Sequence, residues 1–324
     1  IEPRISEEPY DPIADQFLPD RYVEGTCPHC NYESARGDQC DDCGKTLDSK
    51  ELINPRSKLN PDAKIEFRET EHLFFKLSEF RDVLLEWLSE GKEHWRPSVI
   101  NFTRNWLKEG LIDRAVTRDL DWGIEIPREG YENKRMYVWF EAVMGYYSAS
   151  VHWAKNQGKP DEWKKWWENE DSEHYYFMAK DNIPFHTIIW PAMLSGCGYK
   201  LPYDVPANEY LLLDSSQFSK SRRHAIWIPD YLDRYDPELL RFYLASIMPE
   251  QKDANFTWED YVTRINTELI GNYGNLMYRV MSFANKNFPE GLSSKNPVNN
   301  ELNEKTNIAF GKVSEALEAC KFKK

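Results

Sequence analysis

An α/β fold that carries a small metal-stapled insertion and ends in a run of helices is what this sequence predicts. Three observations carry that expectation. Beyond Met136, short apolar stretches alternate with helical patterns, the texture of a parallel sheet flanked by helices. Upstream, four cysteines stand in two C-x2-C pairs inside a Gly- and Asp-rich segment with little hydrophobic periodicity. Past Thr263 the pattern is helical almost throughout. The length of 324 residues suits roughly two domains of ~150 residues.

Along the chain, residues 17–47 cannot fold on core burial alone and need a staple. Residues 71–77 read as a strand with Leu73, Phe74, Phe75 and Leu77 as its bulky positions. Residues 79–89 read as a helix, because Phe80, Val83, Leu84, Trp87 and Leu88 recur at helical spacing behind Ser78, a suitable N-cap. The pattern returns at 101–109, with Gly110 suited to stop it. Residues 136–140 form a continuous apolar run, as in a strand buried on both faces. Residues 163–169 suit a surface helix with an aromatic face, and 175–179 a second buried strand. Lys180-Asp181-Asn182-Ile183-Pro184 then leads into a helix with Pro184 in its first turn. In the helical C-terminal part, Ile265, Leu269, Asn272, Leu276 and Val280 lie near one face. The Pro, Gly, Ser and Asn content of 287–300 marks a loop. A further helix from about Glu301 stops in mid-pattern at Lys324, as at a cleavage or expression boundary. No solenoid-type repeat is present.

Composition narrows the function classes. With 41% hydrophobic and 29% charged residues the chain reads as globular rather than disordered, and its 12 Trp leave bulky side chains for pockets. A formal net charge of −13 argues against binding nucleic acid over the whole surface, although local basic patches remain compatible with it. No run approaches the ~20 apolar residues of a membrane span, and Ile188–Trp190 ends at once at Pro191. The first ten residues are acidic and lack the apolar core of a signal peptide. Six Cys in this length do not suggest a disulfide scaffold; four at metal spacing suit a reducing, cytoplasmic setting.

The most specific local signal is Cys27-Pro-His-Cys30 followed by Cys40-Asp-Asp-Cys43 and Gly44. Two such knuckles place four thiolates tetrahedrally at ~2.3 Å from Zn²⁺, and Gly25, Gly37 and Gly44 permit tight turns. Chance pairs or a redox pair are the competing readings. Four thiolates leave no open position, so the metal would be structural, with His29 a bystander. Metal binding in isolated zinc peptides contributes on the order of 10 kcal/mol to folding. A second motif, Phe218-Ser-Lys220-Ser221, follows the apolar run 211–213. Alone it reads first as a solvated loop. Chemically, a mobile ammonium between small hydroxyl residues suits charge developing on a departing pyrophosphate, and Arg222 and Arg223 extend the patch. A third group is Tyr137-Val-Trp139-Phe-Glu-Ala142, Gly145-Tyr146 and Asp181…His186. Core aromatics are the plain reading; a ligand pocket at the carboxyl end of a buried strand is the other.

Taken in order, several segments resemble the methionyl-tRNA synthetases of the archaeal and eukaryotic-like type. They are Phe17-Leu-Pro-Asp-Arg-Tyr22 before the knuckle, Thr117-Arg118-Asp119, and Tyr137–Ala142. Lys180-Asp-Asn-Ile-Pro-Phe-His186, Trp190-Pro-Ala192, Pro206-Ala-Asn-Glu-Tyr210, the Phe218–Ser221 loop and Asn275-Leu-Met-Tyr-Arg279 continue the match over nearly the whole chain. The resemblance implies an ATP-dependent methionine–tRNA ligase. It implies a connective insertion over 1–134 with the knuckle at about 17–47, and the second half of a Rossmann-like catalytic domain over 135–208. A KMSKS-loop and stem-contact region over 209–262 and a truncated helical anticodon-binding bundle over 263–324 complete it. Trp139, Ala142, Tyr146 and His186 then line the methionine pocket, with Asp181 and Arg118 organising its amino-acid end. Sulfur–aromatic contacts are worth ~0.3–1.5 kcal/mol each, and His186 or Tyr146 could donate a hydrogen bond toward the thioether. Glu125, Asn208 and Glu209 match positions near the ATP ribose and adenine, Lys220 is the second lysine of KMSKS, and Asn275 and Arg279 match anticodon readers. One structural Zn²⁺ on Cys27, Cys30, Cys40 and Cys43, Mg²⁺ with ATP, and ATP, L-methionine and tRNA(Met) as partners follow, with no membrane.

Four departures from the pattern stand out. The HIGH motif, which lies upstream of everything here, is absent, so this chain by itself is expected to be inactive or nearly so. The first Lys of KMSKS is Gln217, the usual Ala-Pro of the methionine loop is Ala142-Val143, and 57–68 holds no second knuckle. The rival readings are a related class I synthetase for another aliphatic amino acid, or a non-catalytic, zinc-containing tRNA-binding fragment. A branched aliphatic pocket has no need of Trp139, Tyr146 and His186 together.

Overall fold

A computed structural model describes the chain except for residues 39, 41, 44–46, 221, 293–298 and 324. Gly44, Ser221, the middle of the 287–300 loop and the terminal Lys324 therefore lie outside the described residues. The backbone separates into two compact units. The first comprises Ile1–Trp87, Arg104–Ser172 and Ile188–Leu201; the second Leu88–Thr103, Glu173–Thr187 and Pro202–Lys324.

The first unit is built on a long antiparallel ladder. Strand β1 (Glu2–Asp11) pairs with β2 (Gln16–Phe17) on one side and β6 (Glu66–Phe75) on the other, and β6 pairs with β7 (Arg114–Ala115). The strand expected at 71–77 is the second half of β6; its partner β1 has no apolar alternation, with Ile1 and Ile5 exposed. Between β2 and β6, the short strands β3 (Val23–Thr26), β4 (Ala35–Arg36) and β5 (Ile53–Ser57) form a separate small sheet in the order β4-β3-β5. Its core is Leu18, Val23, Ala35, Leu47, Leu52 and Ile65 with Cys27 and Cys40. Gly37 is required there by close approach: a Cβ would lie 2.7 Å from the Asp20 carbonyl oxygen and against Ser49 Oγ. Among the described residues of the knuckle, Asn31 takes the left-handed conformation, φ 61°.

After a 3₁₀ turn at Leu77–Phe80, α1 (Arg81–Trp87) follows, and α2 (Pro97–Glu109) starts earlier than its apolar pattern indicated. Gly110 ends it at φ 102°, a left-handed stop that costs glycine little. Strands β8 (Thr117–Asp119) and β9 (Lys134–Met136) pair antiparallel, and β9 feeds α3 (Val138–Asn156). Here the expected strand at 136–140 is overturned: the chain turns helical at Val138. Phe140, Val143 and Ala154 are buried along that helix, and an unbroken apolar run cannot separate a buried strand from a buried helix start. The aromatic helix at 163–169 is reduced to α4 (Lys164–Trp167). A π-helical turn, Phe185–Ile189, precedes α5 (Trp190–Gly196). Pro191 lacks an N–H and its ring crowds the carbonyl one turn earlier, which a widened turn relieves.

In the second unit, β10 (Met178–Ala179) pairs parallel with β11 (Ala207–Asn208). Strand β12 (Leu211–Leu213) pairs parallel with β14 (Ala254–Phe256) and antiparallel with β13 (Ser216–Gln217). Helices α6 (Ile228–Leu232), α7 (Pro237–Ser246) and α8 (Trp258–Arg264) enclose a core that includes Leu213, Tyr243, Phe256, Tyr261 and Ile265. Asp236 caps α7 and Thr257 caps α8 through their side chains. A π-helix, Ile265–Gly274, continues into α9 (Asn275–Asn287), and α10 (Asn300–Glu318) follows. On the face expected to be apolar, Ile265 is buried and Leu269 packs on the core, whereas Leu276 and Val280 are exposed. Among the described residues no helix is long and apolar enough to cross a membrane.

One buried polar network ties β6, β8 and β9 together. Lys134 Nζ donates to Asp119 Oδ1 at 2.6 Å and to Thr70 Oγ1 at 2.7 Å. Thr70 Oγ1 donates to Asp119 Oδ2 at 3.0 Å, and His72 Nε2 lies 3.3 Å from the same oxygen. Burial raises the Asp119 carboxyl, but its hydrogen bonds from His72 and Lys134 outweigh that and hold it below the usual range. Removing one partner strands the other charge in the interior. Lys134→Met should cost about 3–5 kcal/mol in urea unfolding, with Lys134→Met/Asp119→Leu recovering most of it. Because the depressed Asp119 stabilises only when ionised, its contribution should also fade as pH drops below about 4.

Candidate active site

The four knuckle cysteines converge as their spacing requires. Their sulfur atoms all lie within 4.8 Å of one another, with Cys27–Cys43 at 3.9 Å and Cys30–Cys40 at 3.6 Å. A tetrahedral ion at ~2.3 Å from each thiolate sets sulfur–sulfur separations of ~3.8 Å, so the donor set fits a metal ion. The separations are far too long for disulfides, and all four are free thiols. Burial opposes ionisation of Cys27, but the N–H groups of His29 and Cys30 direct hydrogen bonds at its sulfur and bring it down to about 7. His29 itself is exposed.

Beside the knuckle, two arginines stack on the residues that open α3. Arg118 on β8 lies 4.0 Å from the centre of the Tyr137 ring and pairs with Asp20 at 3.2 Å. Its Nη1 also donates to the carbonyls of Ala115 and Thr117. The ion pair that fixes Arg118 is thus with Asp20, which sequence reasoning missed. Burial pushes the Tyr137 hydroxyl up to about 12, and Asp20 adds to the effect. Arg21 pairs with Asp38 at 2.8 Å and sits 5.8 Å from the centre of the Trp139 ring. Asp20 and Arg21 stood inside the quoted Phe17–Tyr22 motif, but nothing local told what they touch.

Trp139, Ala142 and Tyr146 stand at i, i+3 and i+7 on α3 and therefore share one helix face. Trp139 is half-buried; Ala142 and Tyr146 are exposed. Glu125, also in the first unit, is exposed and forms a backbone bridge to Arg135. A cavity of about 570 Å³ in this unit lies between 167–170 and 197–200 and contains none of the sequence-predicted residues.

The second unit positions the others at strand ends. Asp181, exposed, follows β10 in a 3₁₀ turn, Lys180–Asn182. His186 is buried, packs at a tilt against the Tyr176 ring, and donates from Nδ1 to the Asn182 carbonyl at 2.9 Å. A carbonyl can only accept, so Nδ1 carries the proton. Burial depresses the imidazole, which keeps it neutral. A neutral His186 with its proton on Nδ1 has none on Nε2 to give. Asn208 ends β11, and Glu209 after it takes an ion pair from Lys180 at 2.6 Å. Lys180 also reaches Asp253 at 3.1 Å and lies 4.4 Å from the centre of the Tyr210 ring, so a lysine named only as part of a motif organises this segment.

Lys220 sits on a closed turn. Ser219 and His224 exchange backbone hydrogen bonds at 2.9 and 3.0 Å, Arg223 N donates to the Lys220 carbonyl, and His224 Nε2 donates to the Leu213 carbonyl at 2.8 Å. The turn is anchored on β12 while Lys220, Arg222 and Arg223 are exposed. Asn275 and Arg279 are exposed and one turn apart on α9.

Residues 1–281 match the family described as tRNA synthetases class I (M). The chain is 54% identical over 320 residues to the methionine–tRNA ligase of Dehalococcoides mccartyi (strain 195), covering 98% of this chain and 57% of that protein. It is 55% identical over 275 residues to the methionine–tRNA ligase of Thermomicrobium roseum, covering 84% and 47%. With the methionine–tRNA ligase of Thermoplasma volcanium it shares 48% identity over 317 residues, covering 98% and 58%. The chain thus spans about half the length of the curated relatives it matches. A Mycobacterium tuberculosis methionyl-tRNA synthetase solved with methionyl-adenylate aligns with a TM-score of 0.70 at 20% identity, over 99% of this chain and 57% of that one, which shows a shared fold.

Because the folded His186 titrates below its unfolded value, protonation favours the unfolded chain. Stability should be fully present above about pH 6.5 and fall as pH drops below it; melting temperatures at pH 7.5 and 5.5 should differ less in His186→Asn than in the parent.

Proposed function

This chain belongs to the class I tRNA synthetase (M) family, and on that premise we propose that it forms part of a methionine–tRNA ligase, AMP-forming, acting in protein synthesis. The observation that carries the proposal is the 54% identity over 98% of the chain to a protein named methionine–tRNA ligase. In the first step a methionine carboxylate oxygen attacks the α-phosphorus of ATP, and the bond to pyrophosphate breaks. In the second, a terminal ribose hydroxyl of tRNA(Met) attacks the adenylate carbonyl and AMP leaves. No bond to the protein forms, so the side chains orient and stabilise charge.

Trp139, Ala142 and Tyr146 form the thioether-facing side of the methionine site, a reading supported by their common face on α3. His186, Asp181 and Arg118 are its remaining members. Glu125, Asn208 and Glu209 face the nucleotide, and Lys220 on its turn meets the departing pyrophosphate, whose Mg²⁺ arrives with ATP. Asn275 and Arg279 on an exposed face of α9 contact the anticodon. In domain terms, 1–134 is the connective insertion, 135–208 the second half of a Rossmann-like domain, 209–262 the KMSKS and stem-contact region, and 263–324 anticodon-binding. Cys27, Cys30, Cys40 and Cys43 would hold one Zn²⁺, which supplies the cross-link that this small sheet lacks. The setting is cytoplasmic.

Pyrophosphate exchange by the complete protein, tested across methionine, leucine, isoleucine, valine and cysteine, should respond to methionine; exchange with another of these instead would overturn the reading. Lys220→Ala should slow that exchange about 100-fold, a loss of ~2.7 kcal/mol in transition-state stabilisation, with methionine affinity by equilibrium dialysis changed less than about twofold. Equal losses in both would remove Lys220 from this role. Elemental analysis should find about one zinc per chain, and Cys30→Ser should lose it.

A further inference from the structure

Arg96 lies far from Asn208 in sequence, yet its Nη1 donates to Asn208 Oδ1 and to the Ala207 carbonyl, each at 2.6 Å. Its Nη2 donates to the Cys320 carbonyl at 3.3 Å. The arginine is itself held rigidly. Its own carbonyl accepts the first hydrogen bonds of α2, from Val99 at 3.0 Å and Ile100 at 3.2 Å. The preceding Trp95 is buried and donates from Nε1 to the Tyr203 carbonyl at 2.6 Å. A guanidinium carries donors only, so the carboxamide of Asn208 has one permitted orientation: oxygen toward Arg96, NH2 away. Among the described residues that NH2 has no protein acceptor. Asn208 stands at the carboxyl end of β11, which pairs parallel with β10, and ligands of such sheets gather at the carboxyl ends of strands.

We propose that Arg96 is a positioning residue for the nucleotide: by holding Asn208 Oδ1 it fixes the amide so that a donor, not an acceptor, faces a ring nitrogen or ribose oxygen of ATP. This rests on the reading of Asn208 as nucleotide-facing. A carboxamide free to flip would present the wrong end half the time and lose the preorganisation that a bound donor gives.

The test is a double-mutant cycle in the complete protein, read by pyrophosphate exchange. Arg96→Lys and Asn208→Ala should each raise KM for ATP about tenfold, roughly the effect of one lost hydrogen bond, with kcat changed less than about threefold and KM for methionine less than about twofold. Combined, they should be no worse than Asn208→Ala alone, because Arg96 acts through that amide. Asn208→Asp keeps the acceptor for Arg96 and removes the donor, so it should raise KM for ATP at an unchanged melting temperature. Additive effects in the double variant, or a rise in KM for methionine equal to that for ATP, would assign Arg96 to scaffolding through Ala207 and Cys320 and overturn the inference. Asn208→Ala raising KM while Arg96→Lys does not would overturn it alone. An unchanged KM in both Asn208 variants would overturn it together with the nucleotide-facing reading.

Discussion

A charge buried beside its counter-charge fixes the strand from which the first unit's candidate residues hang. Lys134 on β9 is within 2.6 Å of Asp119 on β8, and Thr70 and His72 of β6 close the network from the other side. The bare ion pair is not an economical way to gain stability, since desolvating two charges offsets most of their attraction. What it supplies is register. A one-residue slip of β9 would leave both charges unpaired in the interior, and β9 runs directly into α3, so Trp139, Ala142 and Tyr146 are set by that pairing.

Guanidinium groups do the finer positioning. Arg118 covers Tyr137, Arg21 lies over Trp139, and Arg96 grips Asn208. In each case a planar, always-charged donor is anchored by an acidic or carbonyl oxygen and then constrains a neighbour's orientation. Lysine would not do this equally well, because a single ammonium has no plane to stack and no fork to share between two acceptors. Lys180, which pairs with two carboxylates and lies over Tyr210, acts as a point charge rather than a clamp.

The knuckle connects to this layer through Asp20, Arg21 and Asp38. The eight described residues at the centre of its core are small or aliphatic apart from the cysteines, too few to hold three two- to five-residue strands by burial alone. The sulfur geometry fits a tetrahedral ion, and the same segment carries the carboxylates that pair with Arg118 and Arg21. Order in the four-cysteine loop and order at the start of α3 are therefore physically linked within one unit.

The sequence by itself determined whatever depends on residue identity at short spacing. The C-x2-C pairs converge, Lys220 sits on a short anchored turn, and the helices near 79–89, 101–109 and 301 onward exist with shifted ends. The order of motifs was enough for the family, because co-linear short matches multiply in specificity. Only the tertiary structure decided that 136–140 turns helical at Val138, since an unbroken apolar run suits a buried strand and a buried helix start alike. It alone revealed β1, whose pairing rests on backbone hydrogen bonds rather than apolar alternation, and the π-turn before Pro191. The partners of Arg118, Arg21 and Arg96 were likewise invisible to any local pattern. Hydrogen bonds between residues 17 to 112 positions apart depend on where the folded backbone places them, and no spacing rule within one segment records that.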